Sequence, residues 1–256
     1  MALSDKKIST QSAFLTCLLT LFLMMASAGH AETQLYEATY KGKYSGIGIT
    51  MVKRLVKSDE GFYQLHAEAD NFLGSISETS TFIVSSGHIV PALYEYKRAI
   101  FGKSSEQRLL YDWDKNSVAY TRSDKPEKNK QFELHSGVLD PSLYQLKLQQ
   151  ELAHGVKHFK LTFAKDSRIK TNEFKIQGET HYKLKNVDYP AVIIERVNQP
   201  DDSNTLITVI PKLGHMIAEI EHEDDGTRYQ IHLSDVQISD NELNRFYESI
   251  DAPVPR

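Results

Sequence analysis

The most informative pattern of hydrophobic and polar positions runs from Thr205 to Ser239, where two alternating runs flank the pair Asp225-Gly226. An Asp-Gly pair between β-prone runs suits a two-residue type I′ turn, because both central residues need positive φ, which Gly adopts freely and Asp tolerates. Counting outward sets Thr227 against Asp224, Arg228 against Glu223, Tyr229 against His222, Ile231 against Ile220, His232 against Glu219 and Leu233 against Ala218. Side chains alternate along a strand, so Ala218, Ile220, Tyr229, Ile231 and Leu233 share an apolar face, while Glu223 with Arg228 and Glu219 with His232 face water. A slip of one residue would bury the charges, so the register is fixed and the sheet is antiparallel.

The same period governs most of the chain. Gln34 to Lys57 reads as a hairpin broken at Ser45-Gly46, and Asp59-Glu60-Gly61 turns into a strand carrying Tyr63, Leu65, Ala67 and Ala69 on one side. Glu78 to Val84 and Ile89 to Lys97 flank the turn cluster Ser85 to His88, and Gln107 to Tyr111 and Val118 to Arg122 flank Asp112 to Asn116. A polar loop is expected from Ser123 to Gln131. Asp140-Pro141 then predicts a helix over Pro141 to Ala153: Asp caps by accepting a backbone N–H, and Pro at the first helical position gives up no bond. Its apolar residues fall on more than one side, so it is expected to be covered on more than one face, and Gly155 ends it.

Strands resume at Phe159 to Phe163, Glu173 to Gly178, Tyr182 to Lys185 and Ala191 to Val197. Ala191 to Ile194 is apolar without alternation, as in a strand covered on both faces. After Ile238 the period changes. Ser239 and Glu242 match a capping box, and Leu243, Phe246, Tyr247 and Ile250 line one face of a short helix expected to dock on the sheet. The predicted fold is mainly β: a single curved antiparallel sheet, or an open or half barrel of ten or more strands. One helix, about residues 141–153, packs on it, and a short C-terminal helix follows.

Residues 1–31 change the picture of where this domain works. Lys6 and Lys7 precede an apolar run from Ala13 to Ala28, followed by small residues suited to cleavage after Ala28 or, as expected here, after Ala31. The run is shorter than the roughly 20 residues of a spanning helix, so a secretory signal is predicted rather than an anchor. Residues 32–256 would then form one β-rich domain in the periplasm, not integral to the membrane once processed. The one cysteine, Cys17, lies in the signal, so the mature domain would be held by its core without disulfides. Net charge is −4, with 13 Lys/Arg against 8 Asp/Glu from Arg122 to Lys185 and 5 against 14 from Asn186 to Arg256. This balance gives no basis for nucleic acid as a partner.

Candidate chemistry is sparse. His154 and His158 have metal-pair spacing, but Gly155 interrupts the helix between them, and neither a metal nor another cofactor is expected. Asp112 and Asp114 flank Trp113 at a strand end, where carboxylates bind local backbone. No nucleophile elbow, phosphate loop or dinucleotide fingerprint occurs. What remains is a set of strand tyrosines, Tyr36, Tyr40, Tyr63, Tyr94, Tyr96, Tyr111 and Tyr120, whose rings with polar tips suit the wall of a binding groove as well as ordinary strand packing.

Leu109-Leu110-Tyr111-Asp112-Trp113 with its turn, the stretch Gly137-Val138-Leu139-Asp140-Pro141-Ser142-Leu143-Tyr144-Gln145-Leu146, Gly155 and the closing strands to Leu233 carry a resemblance. In these the chain resembles the bacterial domain-of-unknown-function family numbered 3108, over about residues 36–238, with 239–256 as an extension. That resemblance implies an exported β-rich fold and transfers no site residue. The leading expectation is a non-enzymatic periplasmic envelope protein that binds an apolar or amphipathic ligand, or an envelope partner, in the concavity of its sheet. The alternatives are a hydrolase of envelope polymers acting through carboxylates such as Asp112 and Asp114, and an assembly factor using an edge strand or the Leu243 to Ile250 helix.

Overall fold

Two meanders meet in one sheet. The computed structural model describes residues 32–44, 47–71, 74–200 and 203–251. The first meander comprises β1 (Glu32–Tyr44), β2 (Ile47–Ser58), β3 (Tyr63–Asn71), β4 (Gly74–Ser85), β5 (His88–Ile100), β6 (Lys103–Asp112), β7 (Ser117–Arg122) and β8 (Lys130–Glu133). Helix α1 (Leu143–Ala153) follows. The second meander is β9 (His158–Lys165), β10 (Arg168–Leu184), β11 (Val187–Arg196), β12 (Ser203–Ile210), β13 (Met216–Asp224) and β14 (Thr227–Ile238), and α2 (Asp240–Asp251) closes the described chain. All fourteen strands form one antiparallel sheet, with β1 pairing β14 at its centre and β8 and β9 at its edges. The segment between β8 and α1 draws those edges together. Leu139 N–H donates to the Thr162 carbonyl at 3.0 Å and Ala164 N–H to the Leu139 carbonyl at 2.9 Å, a parallel bridge across an otherwise open seam.

The organising hairpin has the predicted register from Glu219 opposite His232 to Asp224 opposite Thr227, and Asp225 (φ 46°) with Gly226 (φ 71°) makes the turn. Arg228 differs in its partner: its guanidinium reaches Glu221 at 2.9 Å on the diagonal, not the Glu223 opposite it. Ser86-Gly87 turns in the same left-handed way. So does Phe101-Gly102, a turn the hydrophobic pattern did not mark. Ser45-Gly46 and the predicted signal, residues 1–31, lie outside the described residues.

Several boundaries move for physical reasons. Glu173 to Gly178 and Tyr182 to Leu184 belong to the single strand β10, with Lys185 in the turn that follows, and the register against β11 shifts between Ile176 and Gly178. Residues 179–181, between the two expected runs, pair regularly with Val192, Ala191 and Pro190, and the bulge at Gln177 lies inside the first run. The predicted loop Ser123 to Gln131 ends in β8, which pairs with β7. Helix α1 starts at Leu143, not Pro141, because the Asp140 carboxylate folds the two intervening residues into a turn by accepting the N–H groups of Ser142 and Leu143, each at 2.8 Å. The capping box before α2 is incomplete. Ser239 N–H donates to the Leu35 carbonyl and the Glu242 carboxylate pairs with Arg245.

The curled sheet surrounds α1, which buries Leu143, Leu146, Leu148 and Leu152 together with Gln149 and Gln150. Burial on more than one side, with the Lys147–Glu151 ion pair on the partly exposed face, is what a helix held in a curled sheet requires. At one end α2 docks as expected, with Leu243, Phe246 and Ile250 buried. The Phe246 ring lies 5.1 Å from that of Tyr63 and 6.2 Å from that of Phe82. Polar contacts hold the two helices together: Gln150 donates to the Ile250 carbonyl at 2.8 Å, and the Tyr247 hydroxyl lies 3.2 Å from the Gln149 side chain. No described helix is long and apolar enough to cross a membrane.

Candidate functional site

Strand register stacks inward-facing residues into rows across the first meander. Nearest α2, Tyr63 stands opposite Phe82. The next row, Leu55, Leu65, Ser80, Tyr94, Leu109 and Tyr120, is buried. Beyond it run Lys53, Ala67, Glu78, Tyr96, Gln107 and Arg122, then Met51, Ala69, Ile76 and Arg98. In the second meander Ile194, Ile207, Ile220 and Ile231 form one row, with Thr205, His222 and Tyr229 beyond. Both meanders thus change from packed apolar residues near α2 to polar and charged residues farther along the strands.

A buried polar cluster lies where that change occurs. The wholly buried Asp140 accepts three hydrogen bonds at one carboxylate oxygen, from Ser142 N–H, Leu143 N–H and the Ser80 hydroxyl at 3.0 Å, while its other oxygen has no partner. Burial pushes its pKa up to about 7 against these hydrogen bonds, and the nearby Glu78 charge pushes the same way. Glu78 itself accepts the Ser142 hydroxyl at 2.6 Å. Lys53 donates to the Gln145 side chain of α1, and its pKa is lowered to about 8 by burial, opposed by the charges of Glu78 and Asp140.

Beside this cluster the interior is not filled. A chamber of about 180 Å³ is walled by Met51, Ala67, Ala69, Ile76, Ile217, Ile220 and Ile231, with Tyr40, Lys53, Glu78 and Gln145. A larger cleft of about 710 Å³ shares Glu78, Gln145, Ile220 and Ile231 with it, so the two are contiguous. Tyr144, on α1, stacks with Phe163 and Phe174 to give the cleft an aromatic floor, ring centroids 5.2 and 6.2 Å apart. Its walls carry Arg98, Arg122, Lys165, Lys170 and Arg196 against the carboxylates Glu78 and Asp166. Arg122 is held by Asp124. The Arg196 Nε is buried without a partner. A third cavity, at the seam, shares Tyr120, Arg122 and Asp166 with the cleft and adds Lys128, Lys130 and Arg168.

Of the tyrosines singled out in the sequence, Tyr94, Tyr96 and Tyr120 line the large cleft and Tyr40 lines the small chamber. Tyr36 and Tyr63 are core residues, and Tyr111 stacks on Trp113 and donates to the Leu139 carbonyl at 3.0 Å. Sequence reasoning missed Tyr144 and Tyr229, and it missed the cationic wall altogether. The wall was readable in principle, since Arg98 and Arg196 keep the inward parity of Tyr94 and Ile194 on their strands. Asp112 binds Lys115 through both side chain and backbone, the local role expected of it at a turn. His158 pairs with Glu173, and no group of three or more His, Cys, Asp or Glu among the described residues is placed to hold a metal ion. His222 packs on Tyr229, ring centroids 4.9 Å apart, and shares a hydrogen bond with the Thr205 hydroxyl.

A fourteen-strand antiparallel sheet of two meanders, curled around a helix with a tyrosine-lined cationic cleft left inside, defines a barrel-like β protein. Residues 36–232 match the family described as Protein of unknown function (DUF3108), and the chain belongs to that family. No curated protein matches it. Among solved structures it is similar to the beta-barrel-like protein of domain of unknown function DUF1849 from Brucella abortus, at 12% identity, with a TM-score of 0.53 over 81% of this chain and 100% of that one. This likeness is one of fold alone.

Proposed function

We propose that the protein is a non-enzymatic binding protein of the bacterial envelope, exported by the signal in residues 1–31 and taking an amphipathic ligand into its interior cleft. The observation that carries this reading is the unfilled interior: a cleft of about 710 Å³ continuous with an apolar chamber, inside a sheet whose rows are tightly packed nearer α2. Pockets of some hundreds of Å³ with apolar walls and a few placed polar groups are the usual form of small-molecule sites. The titratable groups beside it favour binding over catalysis, because Asp140 is committed to backbone and Ser80 donors and Lys53 to Gln145. Native mass spectrometry of protein purified from the periplasm, with extraction of any bound molecule, tests the reading. A co-purifying amphiphile that is lost on Tyr144→Trp, a change that fills the cleft from its floor, is the expected result. A ligand-free protein that also fails to take up added amphiphiles would overturn it. Fractionation with N-terminal sequencing tests export, with Glu32 expected as the first residue of a soluble periplasmic form.

A further inference from the structure

Cations outnumber carboxylates around the cleft. Beside α1 stands Glu78, with Arg98 and the Asp124-held Arg122 on the first-meander side; on the β9–β11 wall stand Lys165, Lys170 and Arg196, with Asp166 as the carboxylate next to them. None of these three cations makes an ion pair among the described residues, and the buried Arg196 Nε lacks any acceptor. Gathering like charges around an orphaned donor is unfavourable unless something negative joins them. The Lys170 ammonium registers this, its pKa being lowered first by burial and then by Lys165, Arg168 and Arg196, with Asp166 opposing.

The register ties this wall to the apolar interior. Arg196 stands opposite Phe174 and Lys170 opposite Phe163, the two rings that stack with Tyr144. From β11 the isoleucine row leads through Ile207 and Ile220 to Ile231 and so into the small chamber. We infer that the ligand is an amphiphile with an acidic headgroup, phosphate or carboxylate, held by Lys165, Lys170 and Arg196, with its apolar chain lying along the isoleucine row. A headgroup placed the other way round would meet Glu78. The seam cavity, which shares Tyr120, Arg122 and Asp166 with the cleft and adds Arg168, is its route of entry.

This inference rests on the binding reading above, and its test separates the two. The probes are lauroyl lysophosphatidylglycerol and lauroyl lysophosphatidylcholine, each below its micellar concentration, and inorganic phosphate alone, titrated into the mature wild-type protein and a Lys170→Gln/Arg196→Gln variant by calorimetry. The anionic lysolipid is expected to bind wild type about tenfold or more tighter than the zwitterionic one, as loss of a charge-assisted contact dictates, and that preference is expected to vanish in the variant. The variant should melt no lower than wild type, because it relieves like-charge repulsion. Equal binding of both lysolipids, or a preference that survives the double substitution, would overturn the acidic-headgroup inference and leave the binding reading standing. Phosphate alone binding as tightly as the anionic lysolipid would make this a free-anion site and overturn the amphiphile. Binding of none of the three would overturn the inference; the binding reading then stands or falls with the molecule extracted from periplasmic protein.

Discussion

Asp140 concentrates the conflict inside this protein. One of its oxygens is saturated by three donors and starts α1, while burial raises its pKa from 3.8 to about 7. Between those two values the folded chain keeps a proton that the unfolded chain has lost, so the stabilisation is full below about pH 4 and declines as pH rises through 7. Asp140→Asn keeps the accepting oxygen and carries no charge, so urea melts at pH 4.5 and 7.5 should differ less than for wild type. An unchanged difference would place the pH dependence elsewhere. Asp140→Ala, which leaves the N–H groups of Ser142 and Leu143 without their acceptor, should cost about 1–2 kcal/mol at low pH, as loss of a helix cap does. Lys53 acts in the opposite window, its lowered value giving stability that grows as pH rises from about 8 towards 10.5. The sequence marked Asp140 as a cap, but the bare second oxygen and the nearness of Lys53 and Glu78 follow from strands far apart in the chain.

At the scale of elements, the β13–β14 hairpin provides a graded test. Leu233 is 2% exposed, so Leu233→Asp should cost several kcal/mol by burying an unpaired carboxylate. Gly226 sits at φ 71° with no atom near the position of a Cβ, so Gly226→Val should cost about 1–2 kcal/mol through backbone strain alone. Arg228 is 60% exposed in its pair with Glu221, and Arg228→Ala should cost at most about 1 kcal/mol. Urea midpoints should fall in that order, and a larger effect at Arg228 than at Leu233 would contradict the assigned faces. Gly42 on β1 is a different case: a Cβ there would lie 2.2 Å from the Gln230 carbonyl oxygen, so Gly42→Ala must push β1 and β14 apart. Its effect should exceed that of Gly226→Val although the change is smaller. The hairpin was legible because its two strands are adjacent in sequence and a single turn sets their register. The β1–β14 pairing that encloses Gly42 joins residues nearly two hundred positions apart and left no local mark.

For the whole molecule, α2 and α1 decide which part of the interior is packed and which stays open. Phe246 seals the end where Tyr63 and Phe82 meet, and Phe246→Ala should cost about 3–5 kcal/mol in a urea melt, as for large aromatic truncations in cores. The cleft lies farther along the strands, so lysolipid binding by the folded fraction should change little. A loss of binding at full folding would show that α2 also shapes the cleft. By itself the sequence determined most of the strands, the β13–β14 register, the covering of α1 on more than one face and the apolar face of α2, because each depends on a period of two or about four residues repeated within one segment. Only the tertiary structure decided that four of the seven marked tyrosines face cavities and three fill the core, since both sets keep the same inward parity and differ only in what the opposite wall brings against them. It alone decided that Lys165, Lys170 and Arg196 gather around an unpaired donor, because their meeting depends on how three neighbouring strands are staggered and on the curl of the sheet over α1, and neither is written in the period of any one strand.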